Sequence, residues 1–439
     1  MSADDPRRAL PSVDAALAHP GIAELLDRHP RGQVVDALRA AIAERRQGGT
    51  GVEGLADDVA ARLRPSLRRV INATGVILHT NLGRAPLAPR AAAAVADAMG
   101  TSNLEWNTDT GERGSRQDHV VAHLSALTGA ESAAVANTNA GGMLLALVAL
   151  ASGKEVIVSR GQLVEIGGGF RVPEVLTASG CRLVEVGTTN KTRIADYERA
   201  ITADTAVLLR VHPSNFRVVG FTEEASLDGL VALAHSRGLL VIDDLGSGAL
   251  SGDPIYRGEP DVRTSVAAGV DVTCFSTDKL MGGPQGGVLL GRTDAIERCR
   301  KHPLMRALRP DKLTIAALEA TLALHRDPEA ARRDIPTLAM LAATPELLRE
   351  RADRLAEAVG GEVVATTGRV GGGSLPTEDV SSFAVALDAD DGPDALATRL
   401  RACDPHVAAR VVDGRVVLDV LTLSPDDLAV LPDLLESIR

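Results

Sequence analysis

The chain has 439 residues, 45% hydrophobic and 24% charged, which excludes wholesale disorder and leaves ample sequence for two or three packed domains. No uninterrupted apolar run approaches the ~20 residues needed to span a bilayer, and the first thirty residues lack an apolar signal core. With 47 basic against 58 acidic residues the net charge is −11, which argues against nucleic-acid binding through a general positive surface.

The charge is uneven along the chain. Residues 1–70 hold 11 Arg against 10 Asp plus Glu, so the negative excess lies further on. Lysines number only five (Lys154, Lys191, Lys279, Lys301 and Lys312), which narrows any lysine chemistry to five candidates. The four cysteines, Cys181, Cys274, Cys299 and Cys403, form no C-x-x-C pair. That pattern fits a reducing, cytoplasmic setting without a disulfide framework or zinc knuckle.

In chain order, residues 1–66 read as a small helical domain. Val35, Leu38 and Ile42, then Leu55, Val59 and Leu63, repeat three and four apart and so share helical faces. Gly48, Gly49, Gly51 and Gly54 break the pattern, and Pro65 ends it. Residues 67–305 change texture. Apolar runs at 132–136, 155–159, 182–186, 206–211, 239–243, 272–275 and 287–290 predict buried strands. Helix-length segments at 141–151, 226–237 and 293–300 alternate with them, which predicts a doubly wound, mostly parallel sheet. In such sheets ligands gather at the carboxyl ends of the strands. Residues 306–439 begin with helices at 313–325 and 345–359. They continue as strands about Gly371-Gly372-Gly373-Ser374 and a hairpin about Asp413-Gly414, a smaller α+β domain.

Three motifs carry chemistry. In Phe275-Ser276-Thr-Asp-Lys279-Leu-Met-Gly-Gly-Pro-Gln285, a lysine follows a buried strand and precedes glycines. A partly desolvated lysine there can form a Schiff base with a carbonyl cofactor such as pyridoxal phosphate; a surface lysine before a turn would look similar. Leu239-Leu-Val-Ile-Asp243-Asp244 ends a strand in two carboxylates, 36 residues before Lys279. One of them, Asp243 first and Asp244 in reserve, can keep a pyridine nitrogen protonated; either can equally be a helix cap or a loop acid. Ala136-Asn-Thr-Asn139-Ala-Gly141-Gly142 opens a helix after another strand, where backbone N–H groups and small residues can cradle a phosphate. Their order within one α/β domain is the layout of the aspartate-aminotransferase-like superfamily.

Arginines supply a further set. Arg84 closes Asn81-Leu-Gly-Arg84, and Arg306 and Arg309 stand three apart, able to grip an oxyanion or to form an ordinary solvated helix face. His119 and His123 have the i, i+4 spacing of zinc ligands, but no Cys or H-E-x-x-H frame accompanies them, so no metal is expected.

Longer motifs resemble one family. Ile71-Asn-Ala-Thr-Gly75-Val-Ile-Leu-His79-Thr-Asn-Leu-Gly-Arg84-Ala-Pro-Leu87 closely resembles the entry motif of the bacterial selenocysteine synthases, the L-seryl-tRNA(Sec) selenium transferases. So do Arg160-Gly-Gln-Leu-Val-Glu-Ile-Gly-Gly168, His212-Pro-Ser-Asn215-Phe with Gly220-Phe-Thr222, Asp243-Asp-Leu-Gly-Ser247 and the Lys279 segment. The resemblance implies a pyridoxal-phosphate transferase of fold type I, with a helical N-terminal domain that grips tRNA. It implies conversion of seryl-tRNA(Sec) to selenocysteinyl-tRNA(Sec) with selenophosphate, through a cofactor-bound aminoacrylyl intermediate. Lys279 would carry the cofactor, with Asp243, Asp244, Asn139, Gly141, Gly142 and Ser276 around it. Arg84, Arg306 and Arg309 would hold the selenium donor, in a homodecameric ring of dimers with active sites between subunits. The chain departs from the family at Leu421, where arginine is usual. A lyase of the same fold acting on a small amino acid or amino sugar acid, or a catalytically silent tRNA-binding protein, are the alternatives.

Overall fold

The computed structural model describes residues 10–48, 51–166 and 169–438. Gly49 and Gly168, both in the sequence patterns above, lie outside them. The chain divides into two compact units, Met1–Arg69 and Val70–Arg439.

The first unit is helical: Val13–Leu17, Pro20–Arg28, Arg31–Gly48 and Leu55–Leu63. Of the spaced set, Leu38, Ile42, Leu55 and Val59 are buried together with Ile22 and Val34, and Leu63 packs against them, whereas Val35 is only half-buried and Val34 takes its place in the core. Gly54, at φ 71°, starts the last helix, where a left-handed residue needs no Cβ. Among the described residues no helix is long and apolar enough to cross a membrane.

Among the described residues the second unit holds fifteen strands. They are β1 (Val70–Asn72), β2 (Ser132–Ala136), β3 (Glu155–Ser159), β4 (Glu165–Ile166), β5 (Phe170–Arg171), β6 (Arg182–Val186), β7 (Thr205–Val211) and β8 (Leu240–Gly246). Then follow β9 (Val272–Ser276), β10 (Gly287–Gly291), β11 (Glu362–Gly371), β12 (Ser374–Leu387), β13 (His406–Ala408), β14 (Arg410–Val412) and β15 (Arg415–Asp419). Seven form the main sheet in the order β2-β10-β9-β8-β7-β3-β6. It is parallel through β9, β8, β7, β3 and β6, while β10 runs antiparallel to both of its neighbours. Apolar helices cover both faces: along β8, Ile242 packs on one side and Val241 on the other. One predicted strand differs in character. β6 is the sheet edge, so Arg182 and Glu185 are exposed and only Val186 is fully buried.

The predicted boundary at residue 306 is not a break in packing. Helix Lys312–His325 sends Ile315, Leu318 and Leu322 into the same cluster as Val120 and Leu124. At the other end β1 pairs in parallel with β13, residues 336 positions apart by their register of Val70 with His406. The first strand of the unit is thus built into the C-terminal layer, whose four-stranded sheet runs β11-β12-β15-β14. Asp413 and Gly414, at φ 48° and 75°, make the predicted turn between β14 and β15.

Asp419 locks this layer. Fully buried, it accepts hydrogen bonds from Ser382 Oγ (2.6 Å), Leu421 N (3.1 Å) and Arg410 Nη2 (2.8 Å). Burial pushes its carboxyl above the usual range, and these donors pull it back. Gly75, at φ 72°, passes so close that a methyl group there would collide with Asp419 Oδ2. Gly75→Ala should therefore cost about 2–4 kcal/mol of stability, strain and overpacking together. Gly414→Ala, at a similar φ with nothing within 4 Å, isolates the strain alone. Equal drops in the thermal unfolding midpoints would refute the collision.

Candidate active site

Two strand ends create the site. β8 delivers Asp243 and Asp244, and alternation of side chains sends them to opposite faces. Asp243 is fully engaged: Arg210 Nη1 donates to Oδ1 at 2.9 Å and Ser265 Oγ to Oδ2 at 2.7 Å. Asp244 is held on one oxygen only, Oδ1, by Asn139 Nδ2 (2.9 Å) and Gly246 N (3.2 Å). Its other oxygen takes no hydrogen bond among the described residues.

Lys279 lies three residues past β9, buried to 4% exposure. The loop around it is tied back on itself: Thr277 N bonds Gly286 O, Gly283 N bonds Thr277 O, and Leu280 N bonds Ser247 O. Burial lowers the Lys279 amine below the usual lysine range, and the neighbouring Asp244 charge opposes that shift. Burial likewise raises the Asp244 carboxyl, opposed by Asn139 and by Lys279. Asp244, not Asp243, therefore shares the lysine's side of the sheet. Preferring the first carboxylate after the apolar run fails because Asp243 already serves as a structural strut.

Glycines shape the space. A methyl group at Gly246 would lie 3.9 Å from both Lys279 Nζ and Ser214 Oγ. One at Gly373 would lie 4.0 Å from Nζ and 3.4 Å from the same hydroxyl. Gly373 belongs to the turn between β11 and β12, so the C-terminal sheet reaches over the lysine. Ser214, Gly246 and Gly373 carried no sequence signal beyond their place in the family motifs, because their role is purely spatial.

The helix Asn139–Ala151 starts beside Asp244, and Thr138 caps it by accepting from Gly141 N at 3.0 Å. Gly142 N bonds Thr138 O at 2.9 Å. Both glycine N–H groups thus bond Thr138, and Gly142 is small because Leu289 Cδ1 would sit 3.0 Å from a methyl there. The free donors of this first turn are Asn139 N and Ala140 N. Ser276 ends β9 opposite Gly287, buried to 7% exposure.

Arg84, at φ 63°, donates from Nη1 to Asp278 Oδ2 at 2.7 Å, directly beside Lys279. Arg306 and Arg309 instead line a separate cleft of about 460 Å³ with Arg116, Arg300 and Glu105. Arg309 sits 3.6 Å from Glu105, whose carboxyl the hydrogen-bonded Arg116 holds below the usual range. Arg84 is not among the residues lining that cleft. His119 bonds Leu104 O, and no group of three metal-ligating side chains occurs among the described residues. Leu421 is fully buried, packed on Gly368.

Residues 70–424 match the family described as L-seryl-tRNA selenium transferase, and residues 7–46 match the selenocysteine synthase N-terminal family. The L-seryl-tRNA(Sec) selenium transferase of Solidesulfovibrio magneticus is 50% identical, covering 96% of both chains, and that of Moorella thermoacetica 49%, covering 96% and 94%. The chain belongs to the L-seryl-tRNA(Sec) selenium transferase family. A solved D-glucosaminate-6-phosphate ammonia-lyase shares the fold of this family member, with TM-score 0.58 and 24% identity over 85% of this chain and 97% of that one.

The cofactor of this selenium transferase is pyridoxal 5′-phosphate, and the residues fit it. Asn139 Oδ1, Ser214 Oγ and Ser247 Oγ are buried polar atoms without a hydrogen-bond partner, grouped about Lys279 and Asp244. Natural proteins leave such atoms unpaired where a bound group completes them.

Borohydride reduction of the cofactor-loaded enzyme should label Lys279 and no other lysine; a label on Lys154, Lys191, Lys301 or Lys312 would overturn the assignment. The two aspartates should separate cleanly. Asp244→Asn should retain cofactor but slow exchange of the substrate α-proton on the order of 100-fold or more. Asp243→Asn should instead destabilise the fold by about 3 kcal/mol, because Arg210 loses its buried partner. The reverse pattern would return the role to Asp243.

Proposed function

We propose how the residues around Lys279 divide the work of converting L-seryl-tRNA(Sec) to L-selenocysteinyl-tRNA(Sec) with selenophosphate. The observation that carries the reading is the buried amine of Lys279 beside the one-sided carboxylate of Asp244. When bound, pyridoxal phosphate supplies an electron sink that acidifies the seryl Cα–H and lets the β-hydroxyl depart. Lys279 would hold the cofactor through its amine; once the seryl amine has displaced it, that amine, biased by burial toward the neutral form, would take the Cα proton. Asp244, clamped by Asn139, would hold the ring nitrogen protonated through its free oxygen. The first N–H groups of the Asn139–Ala151 helix would hold the cofactor phosphate, and Ser276 would support the lysine loop.

The remaining groups handle the donor. Arg84 spends one Nη on Asp278, which leaves the rest of its guanidinium for an oxyanion. Arg306 and Arg309 of a second copy complete that grip, which accounts for their separation from Arg84 in one chain and makes the enzyme a homo-oligomer, a decameric ring of dimers. The seryl hydroxyl leaves as water, the donor selenium forms the new bond at Cβ, and one water cleaves the P–Se bond to release phosphate, so that no net water is gained or lost. The Arg-rich helical unit grips the body of the tRNA, which reconciles tRNA binding with a net charge of −11. A small-molecule lyase has weaker support, since the likeness to the ammonia-lyase is one of fold alone.

Arg84→Ala removes a charge-assisted contact and should raise the apparent KM for selenophosphate on the order of 10- to 150-fold. Cofactor content and the tRNA dissociation constant should stay near wild type. Normal donor kinetics with weakened tRNA binding would assign Arg84 to nucleic acid instead.

A further inference from the structure

A second cavity abuts the lysine centre. It encloses about 280 Å³ at the carboxyl ends of β3 and β7, near the smallest size that takes an organic ligand. His212 and Pro213 line it, and the next residue, Ser214, flanks with Lys279 Nζ the space beside Gly246 and Gly373. Pro376 lines its far side, three residues past Gly373. The two spaces are therefore separated by little more than one strand of backbone.

Its lining holds unspent polar atoms. Glu259, 7% exposed, points Oε1 toward His212 Nε2 at 3.5 Å, and neither atom makes a hydrogen bond. The Glu259 charge is close enough to push the Lys279 amine toward its protonated form. Phe216, 39% exposed, offers an open ring at the same cavity.

Resting on the function proposed above, we infer that this cavity seats the 3′-terminal adenosine to which the seryl group is esterified. The chemistry requires such a neighbour: the alcohol of the ester is a ribose, so a seryl amine at Lys279 brings a ribose and a base within a few ångströms. The ribose 2′-hydroxyl can donate to the Glu259 carboxylate and accept from His212. The adenine, an uncharged π-face, can stack on Phe216. A buried carboxylate disfavours the rival occupant, since an anionic selenophosphate would face Glu259 at close range.

The test uses the cofactor-loaded enzyme and two amide probes, 3′-deoxy-3′-(L-serylamino)adenosine and L-serinamide, with dissociation constants from calorimetry. Wild type should bind the nucleoside probe at least about tenfold tighter than serinamide. Glu259→Gln and Phe216→Ala should each shrink that ratio by about tenfold or abolish it. An unaltered ratio in both variants, or no preference in wild type, overturns the assignment. Turnover of seryl-tRNA(Sec) by wild type with selenophosphate keeps the two ideas apart. If turnover persists without a nucleoside preference, only the cavity assignment falls; if it is absent, the proposed function itself falls.

Discussion

Everything in the second unit serves to hold one amine and one carboxylate together away from water. Lys279 and Asp244 are each buried beyond nine-tenths, and burial drives each toward its neutral form while the other's charge drives it back. Two opposed forces of this kind leave both groups responsive to whatever binds between them. A surface lysine would stay protonated and unreactive at neutral pH.

Holding that pair demands rigidity from elements remote in sequence. The aspartate hangs from β8 and is clamped by Asn139 at the start of the helix after β2. The lysine loop is tied by backbone bonds between Thr277 and the Gly283–Gly286 turn, because β10 turns back antiparallel to β9. The roof arrives from the C-terminal layer, where the glycine turn between β11 and β12 comes down on Ser214 and Nζ. That layer is itself anchored by β1 and by the Asp419–Gly75 contact. A mutation far from the lysine can thus loosen the site through the roof.

Charge is distributed with the same economy of position. The protein is acidic overall, and the arginines proposed to hold an anionic donor are already steered by carboxylates: Arg84 by Asp278, Arg309 by Glu105. A partner carboxylate orients the guanidinium and leaves donors to spare, which suits a transient anion better than a free, mobile cation.

The strands along the chain, the helical N-terminal unit, the hairpin at Asp413-Gly414 and a lysine directly after a buried strand were legible in the sequence. Each is a local pattern: a period, a turn pair, a lysine between an apolar run and glycines. What the tertiary structure alone decided is which partners those patterns meet. Asp243 and Asp244 are adjacent in sequence, and only the faces of β8 tell the strut from the group beside the lysine. Gly141 and Gly142 mark a helix start in the sequence, and only the structure shows their N–H groups bonded to the Thr138 hydroxyl and carbonyl. Gly373, Ser214 and Glu259 became site residues through contacts spanning tens to more than a hundred positions. Backbone period is set within a few residues, whereas burial and face are set by the whole packed sheet.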